Sequence, residues 1–387
     1  MIDALAWLLL AVTALPVLMF AAEVLAGAAP HRETDTTVAP PPFAVLVPAH
    51  NEAAGITTTI TTTRLQLRGC DRLIVIADNC DDGTAAIARA AGAEVIERFS
   101  ATERGKGFAL AAGRSFLAQA APAAVIVVDA DCHPEPGALQ RLAAHAVGAQ
   151  AAVQGRNLLS SNGDSHPLAQ ISLFAFVIKN LVRQRGLQRL GAPALLQGTG
   201  MALAWPLFAR ARLASGCLAE DLELGLGLVL ENQPVLFLPG AGFHSPASSR
   251  DATIGQRTRW EHGAILTGWR HVPRLLAASF RRPNLLLLAL DLLIPPLALL
   301  GMTLGLATLA TGLLVAIGAD PLPLLLQLGL GLLFALAIAH AWHRSGRAYL
   351  SFSALLQVPA YMLWKLPIYT RLLVDRQRQW VRTSRDA

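Results

Sequence analysis

The sequence predicts an α/β protein: a doubly wound, mostly parallel sheet in one domain, accompanied by transmembrane and interfacial helices. Two observations lead there. Short β-branched runs alternate with Ala-rich helical stretches through the first half of the chain, the pattern of parallel strands joined by crossover helices. The composition adds a membrane, because 53% of the 387 residues are hydrophobic and only 15% charged, too apolar for an ordinary soluble enzyme. The excess lies in residues 1–27 and again after Asn284. Between them, roughly 250 residues of ordinary charge content suffice for one such domain.

Leu5 to Leu25 is apolar apart from Glu23, long enough to span a bilayer. No Lys or Arg precedes it and no small-residue cleavage site closes a short core, so it reads as an uncleaved anchor in preference to a signal peptide. His31 and Arg32 follow, which puts the N-terminus outside and the next domain in the cytoplasm. Pro40-Pro41-Pro42 is a stiff spacer.

Phe43 to Val47 is the first expected strand, followed by Pro48-Ala49-His50-Asn51-Glu52 and a Thr-rich helix. Leu73 to Ile76 is the second, running into the polar loop Ala77 to Thr84 and a helix over 85–91. Glu94 to Glu97 is a short third, and Arg104-Gly105-Lys106-Gly107 opens another Ala-rich helix. Ala123 to Val128 is apolar on both faces, as a central strand should be, and ends in Asp129-Ala130-Asp131. In open α/β sheets ligands collect at such carboxyl ends. Asp129 and Asp131 can point the same way, a pair of hard oxygen ligands that suits Mg2+ or Mn2+ and leaves room for substrate phosphates. By itself an Asp-x-Asp is equally a loop cap, with Pro134 and Pro136 as turn residues.

Further on, Glu220, Asp221 and Glu223 open a helix expected over Leu222 to Glu231, where acids favour the N-terminus in any case. Ile254 to Phe280 interleaves Arg257, Arg259, Arg270 and Arg274 with Trp260, Ile265, Leu266, Trp269, Leu275 and Leu276, as helices lying on a membrane surface do. Leu285 to Ile317 and Pro321 to His340 are two further spans, joined outside by Gly318-Ala319-Asp320. His343, Arg344 and Arg347, and the tail with Arg371, Arg376, Arg378, Arg382 and Arg385, then fall in the cytoplasm. Tyr349 to Val374, interrupted by Pro359, Lys365 and Pro367, is accordingly an in-plane or re-entrant segment, with a fourth span and an external tail as the alternative. Asp291 is an intramembrane carboxylate, a functional suspect whose plainer use is pairing between helices. The expected divisions are 1–27, 28–252, 253–284, 285–341 and 342–387.

Several classes drop out. Cys70, Cys80, Cys132 and Cys217 form no CxxC pair and His50, His133, His244, His262 and His271 are dispersed, so neither structural zinc nor a disulfide framework is expected. No Gly-x-Ser-x-Gly or P-loop occurs, and the net charge of +6 reads as membrane-surface charge, not as nucleic-acid affinity.

The motifs, in their order, resemble those of family 2 inverting glycosyltransferases of the Rossmann-like GT-A fold, the membrane-bound kind related to cellulose and hyaluronan synthases and to ceramide glucosyltransferases. Val47 to Glu52 resembles VPAxNE, Ala77 to Thr84 the uridine-holding loop, Asp129-Ala130-Asp131 the metal-binding DxD, Gly198-Thr199-Gly200-Met201 the acceptor-side segment, Glu220-Asp221 the ED pair, and Gln256 to Trp260 QxxRW in full. Ala77 stands where many relatives carry a first aspartate, and Asp78 keeps the second.

The resemblance implies a nucleotide-sugar donor, UDP-linked, held by Pro48, His50, Glu52, Asp78, Lys106, Asp129 and Asp131, with Mg2+ or Mn2+ on the last two. It implies Asp221 as general base beside an orienting Glu220, and Gly198, Thr199, Gly200, Gln256, Arg259 and Trp260 at the acceptor and diphosphate. Arg259 can pair with a diphosphate, and the face of Trp260 suits a sugar ring. The acceptor would be a saccharide or lipid-linked molecule at the bacterial inner membrane, with the catalytic domain facing the cytoplasm, in polysaccharide or glycolipid synthesis, with export or assembly partners a possibility. Single transfer to a ceramide-like or polyprenyl lipid, and a catalytically silent nucleotide- or glycan-binding subunit, stand as alternatives.

Overall fold

An eight-stranded mixed sheet organises one part of the chain and apolar helices the other. The computed structural model describes residues 1–28, 40–160, 166–215, 217–246 and 250–374, apart from the side chains of 250–256 and 372–374. His31, Arg32, Arg376, Arg378, Arg382, Arg385 and the side chain of Gln256 lie outside the described residues. Two compact units emerge: Met1–Pro30 with Gly163–Ala192 and Gly268–Arg376, and His31–Asn162 with Pro193–Thr267 and Gln377–Ala387.

In the sheet unit the strands are β1 (Phe43–Ala49), β2 (Arg72–Asp78), β3 (Glu94–Arg98), β4 (Ala124–Val127), β5 (His133–Pro134), β6 (Ala152–Ser160), β7 (Met201–Ala204) and β8 (Val235–Pro246). Their order is β3-β2-β1-β4-β7-β6-β8-β5. From β3 to β4 every pairing is parallel, as the alternating pattern requires. Val45, Val47, Ile74, Val75, Val125 and Ile126 are each 0% exposed, and burying a side chain of that size is worth about 1.5–3 kcal/mol. Helix Lys106–Leu117 lies close on this half because Gly113 leaves room; a Cβ there would come within 2.9 Å of Leu46 Cδ1.

Past β4 the sheet reverses. β7 runs antiparallel to both β4 and β6, while β6 and β8 are parallel to each other. The reversal sets the approach to β7, residues 198–200, beside the carboxyl end of β4, and Gly200 N donates to Val127 O at 2.9 Å. A functional edge is thereby built from segments about 70 residues apart.

In the helical unit, Ile2–Gly27, Leu297–Ala316 and Leu322–Gly346 are each long and apolar enough to cross a membrane, the only such helices among the described residues. The apolar run expected as one span over Leu285–Ile317 is two helices, Asn284–Leu292 and Leu297–Ala316. Pro295 and Pro296 separate them, since two successive prolines remove two helix N–H donors and crowd the preceding turn. Among the described residues after Gly346, the helices are short: Phe352–Leu355, Val358–Trp364 and Leu366–Val374.

Residues 163–192 fall within the range 28–252 expected of the sheet domain and group with the apolar helices. The backbone explains this: a Cβ on Gly27 would sit 1.8 Å from the Val182 carbonyl oxygen and one on Gly186 1.9 Å from that of Glu23, the close crossing that glycine permits between apolar helices. The same crossing buries charge. Arg183, at the end of a π-helical turn Ile178–Arg183, donates from Nε to Glu23 Oε2 at 2.6 Å and from Nη2 to Asp291 Oδ1 at 2.5 Å.

Candidate active site

The strongest cluster forms where β4, the start of helix Lys106–Leu117 and the start of helix Glu220–Leu230 converge. Lys106 Nζ donates to Asp129 Oδ1 at 2.5 Å and to the Gly198 carbonyl at 2.7 Å. Gly107 lets the helix start press against the chain at Leu213, whose carbonyl oxygen would lie 2.2 Å from a Cβ there. Thr199 Oγ1 accepts from the Asp129 amide at 3.0 Å. Gly198, at φ +87°, is the glycine the site most needs: a Cβ there would lie 3.2 Å from Asp221 Oδ2 and 3.4 Å from Lys106 Nζ. Sequence-expected Lys106, Asp129, Gly198, Thr199 and Asp221 are therefore neighbours.

The charges in this cluster control one another. Burial opposes the ammonium of Lys106, but Asp129, Glu220 and Asp221 outweigh it and hold its pKa above the usual lysine value. Burial, and then the adjacent Asp221, push Glu220 up to about 7 despite Lys106. Two neighbouring carboxylates of which one takes up a proton near neutrality are a setting for acid–base chemistry. Helix Glu220–Leu230 presents both in its first turn, where the helix dipole favours acids.

A second group lies at the ends of β1 and β2. His50 Nδ1 bonds the Asp78 carbonyl at 2.7 Å, and the Glu52 amide donates to Thr84 Oγ1 at 2.8 Å. Pro48 is paired with Ile76 across β1 and β2. The Asp78 carboxylate bonds Arg98 Nη1 at 2.7 Å and Asn79 Nδ2 at 3.1 Å, and Arg98 also donates to Glu103 Oε2 at 2.8 Å. In its bonding Asp78 thus belongs to a different group from Lys106 and Asp129.

Arg259 and Trp260 are half-buried on helix Arg250–Ser279. One turn later, a Cβ on Gly263 would be 3.1 Å from Leu218 Cβ and 3.4 Å from Ala219 Cβ. This contact holds the helix against the two residues that precede Glu220.

Sequence reasoning missed three positions. Arg98 falls one residue past the expected strand Glu94 to Glu97 and ends the observed β3. Buried Gln154 donates to the Thr199 carbonyl at 2.8 Å and accepts from the Gln197 amide at 2.8 Å, pinning the loop that carries Gly198. Glu135 accepts from Arg156 and bonds His244 Nε2 at 2.6 Å, opposite His133 where β5 meets β8. Burial would raise the Glu135 pKa, but His244 and Arg156 bring it below the ordinary carboxylate value. None carries a spacing signal; the one hint is Gln154, a polar residue between apolar neighbours in β6.

The carboxylates of Asp129 and Asp131 are of the donor type that suits a hard divalent cation. Among the described residues no three His, Cys, Asp or Glu side chains gather into a ready-made metal site. Asp129, its side chain 37% exposed, already attracts the cationic Lys106, and Asp131 follows two residues on. Mg2+ or Mn2+ bound by one or two carboxylates and completed by phosphate oxygens needs no more.

The glycosyltransferase-like family 2 profile matches residues 40–263. The chain belongs to this family. It spans both the β1–β4 half of the sheet and the turn bearing Arg259 and Trp260. Among solved structures, this family 2 enzyme is similar to the mannosyltransferase PcManGT from Pyrobaculum calidifontis, in complex with GDP-Man and Mn2+, at 18% identity and a TM-score of 0.58, over 97% of this chain and 100% of that one. It also matches glucosyl-3-phosphoglycerate synthase from Mycobacterium tuberculosis at 19% identity and a TM-score of 0.36, over 55% of this chain and 73% of that one. No curated protein matches it. The first likeness shows a shared mixed α/β fold of the GT-A type.

Proposed function

We propose that this family 2 glycosyltransferase transfers a sugar, with inversion, from a nucleoside diphosphate donor to a saccharide or lipid-linked acceptor at the cytoplasmic face of the inner membrane. The observation that carries this reading is the meeting of Lys106, Asp129, Gly198 and the Glu220–Asp221 pair at one sheet edge. Asp129 and Asp131 would hold Mg2+ or Mn2+, which when bound offsets charge on the departing diphosphate. The similar mannosyltransferase contains GDP-Man and Mn2+; UDP-sugars are the first donors to test here and GDP-sugars the second.

Lys106 supplies a fixed positive charge beside the donor carboxylates. The Glu220–Asp221 pair supplies the base: it takes the proton of the acceptor hydroxyl as that oxygen attacks the anomeric carbon from the face opposite the leaving group. Asp221 borders Gly198, so proton removal is assigned to it and orientation to Glu220. Asp78, fixed by Arg98, holds the nucleoside side. Three helices apolar enough to span a bilayer support the membrane setting, and Arg259 and Trp260 would meet the diphosphate and the acceptor sugar.

The test is nucleoside diphosphate release by the purified full chain with Mn2+, across UDP- and GDP-sugars, with native membrane extract as acceptor source. Donor binding without turnover across that panel would reduce the reading to a nucleotide-binding subunit.

A further inference from the structure

Helix Arg250–Ser279 and the turn after it bury His271, Val272 and Leu275, at 3%, 8% and 0% exposure. The other face is open and unusual in composition. Trp269, Leu276 and Phe280 are exposed at 59%, 37% and 93%, and their spacing of seven and then four residues aligns them in one stripe. Arg270, Arg274 and Arg281, spaced by four and then seven residues, are exposed along the neighbouring stripe, and residues 268–281 contain no acid. A face seeking only water would not present a Trp and a Phe; one seeking a protein core would not carry three guanidinium groups beside them. Ring and aliphatic groups that reach the acyl boundary beside cations that reach phosphate are what a bilayer surface accommodates.

We propose that this face docks on the headgroups of acidic phospholipids, making the helix end 268–279 and the turn 280–281 an anionic-lipid contact of the enzyme. The inference rests on the membrane reading above and adds to it a headgroup charge and named residues. Each arginine near an anionic surface strengthens attraction roughly fivefold, so three together favour acidic over zwitterionic lipid by about a hundredfold.

The test uses the full-length chain in bilayer discs of brominated phosphatidylcholine, alone or mixed with brominated phosphatidylglycerol. The difference in quenching between the wild type and Trp269→Phe isolates Trp269. We expect that difference to grow with phosphatidylglycerol content and to shrink with added salt. In Arg270→Gln/Arg274→Gln/Arg281→Gln the growth should vanish, while Arg270→Lys/Arg274→Lys/Arg281→Lys should keep it. Absence of Trp269-dependent quenching in a properly inserted protein overturns the docking, and equal quenching in both lipids overturns its preference for acidic headgroups. A chain that does not enter the discs at all overturns the membrane reading, a distinguishable result, and this inference with it.

Discussion

At Gly198, φ +87°, a missing Cβ lets an acid and an ammonium crowd the backbone, where a Cβ would lie 3.2 Å from Asp221 Oδ2 and 3.4 Å from Lys106 Nζ, and most of the proposed chemistry depends on the acid. Asp221→Asn removes the assigned base without changing its shape, and we expect kcat to fall by about 10²-fold or more with donor affinity retained; calorimetry and turnover on the same sample check both halves, and near-normal turnover would move the base elsewhere. Glu220 gives a pH signature. Its pKa is raised to about 7, so as pH falls through about 7 Glu220 takes up a proton and no longer orients the acceptor as a carboxylate beside Asp221, and kcat/KM should decline on that acid side. Stability runs the other way. With a folded pKa above the unfolded value, Glu220 contributes nothing adverse below about pH 4.5 and becomes increasingly destabilising as pH rises to about 7. Glu220→Gln should therefore raise Tm at pH 8 and leave it unchanged near pH 4; no pH dependence in the difference between variant and wild type would refute the shifted carboxyl. Asp129, Glu220 and Asp221 were legible because motifs state residue type at fixed spacing. Arg98 and Gln154 were not, because a polar side chain in a strand says nothing about the partner that a distant loop will bring to it.

Among the elements, β1, β2 and β4 were legible from apolar runs that stop at polar residues, and the helices between them from Ala-rich stretches. β7 and β8 were not, since the antiparallel return after β4 is decided by pairing across the sheet and leaves no local period. The segment 163–192 was illegible for a different reason. It carries Lys179, Arg183, Arg185 and Arg189 and resembles the charged domain around it; only its partners, Gly27, Glu23 and Asp291, reveal where it belongs. Those partners make it testable. Arg183→Met would leave Glu23 and Asp291 buried without their cation, with an expected cost of about 3–5 kcal/mol. Replacing all three by apolar residues of similar volume removes the unpaired charges as well as the bonds, and should restore most of that loss. Thermal stability in one detergent compares the two variants, and a triple variant no better than the single one would show that the bonds themselves, not the stranded acids, set the cost.

For the whole molecule the decisive question is which ends of the apolar helices lie on the same side. Asp320, in the turn after helix Leu297–Ala316, donates its amide to Asp3 Oδ1 at 2.8 Å, so the start of the first apolar helix and the joint between the other two share one end of the helical unit. The opposite end holds Gly27 and the π turn Trp342–Gly346 with exposed His343 and Arg344. Lys and Arg accumulate on the cytoplasmic side of membrane proteins, so the membrane reading proposed above predicts the Asp3–Asp320 end outside and three crossings by the described helices. In a variant lacking the four native cysteines, Ile317→Cys should react with a membrane-impermeant maleimide in intact spheroplasts, whereas Arg347→Cys, exposed at the other end, should react only after permeabilisation. The reverse pattern would turn the enzyme over in the bilayer and remove its donor, since nucleotide sugars are made in the cytoplasm; labelling of both from outside would mean that the helices do not cross at all.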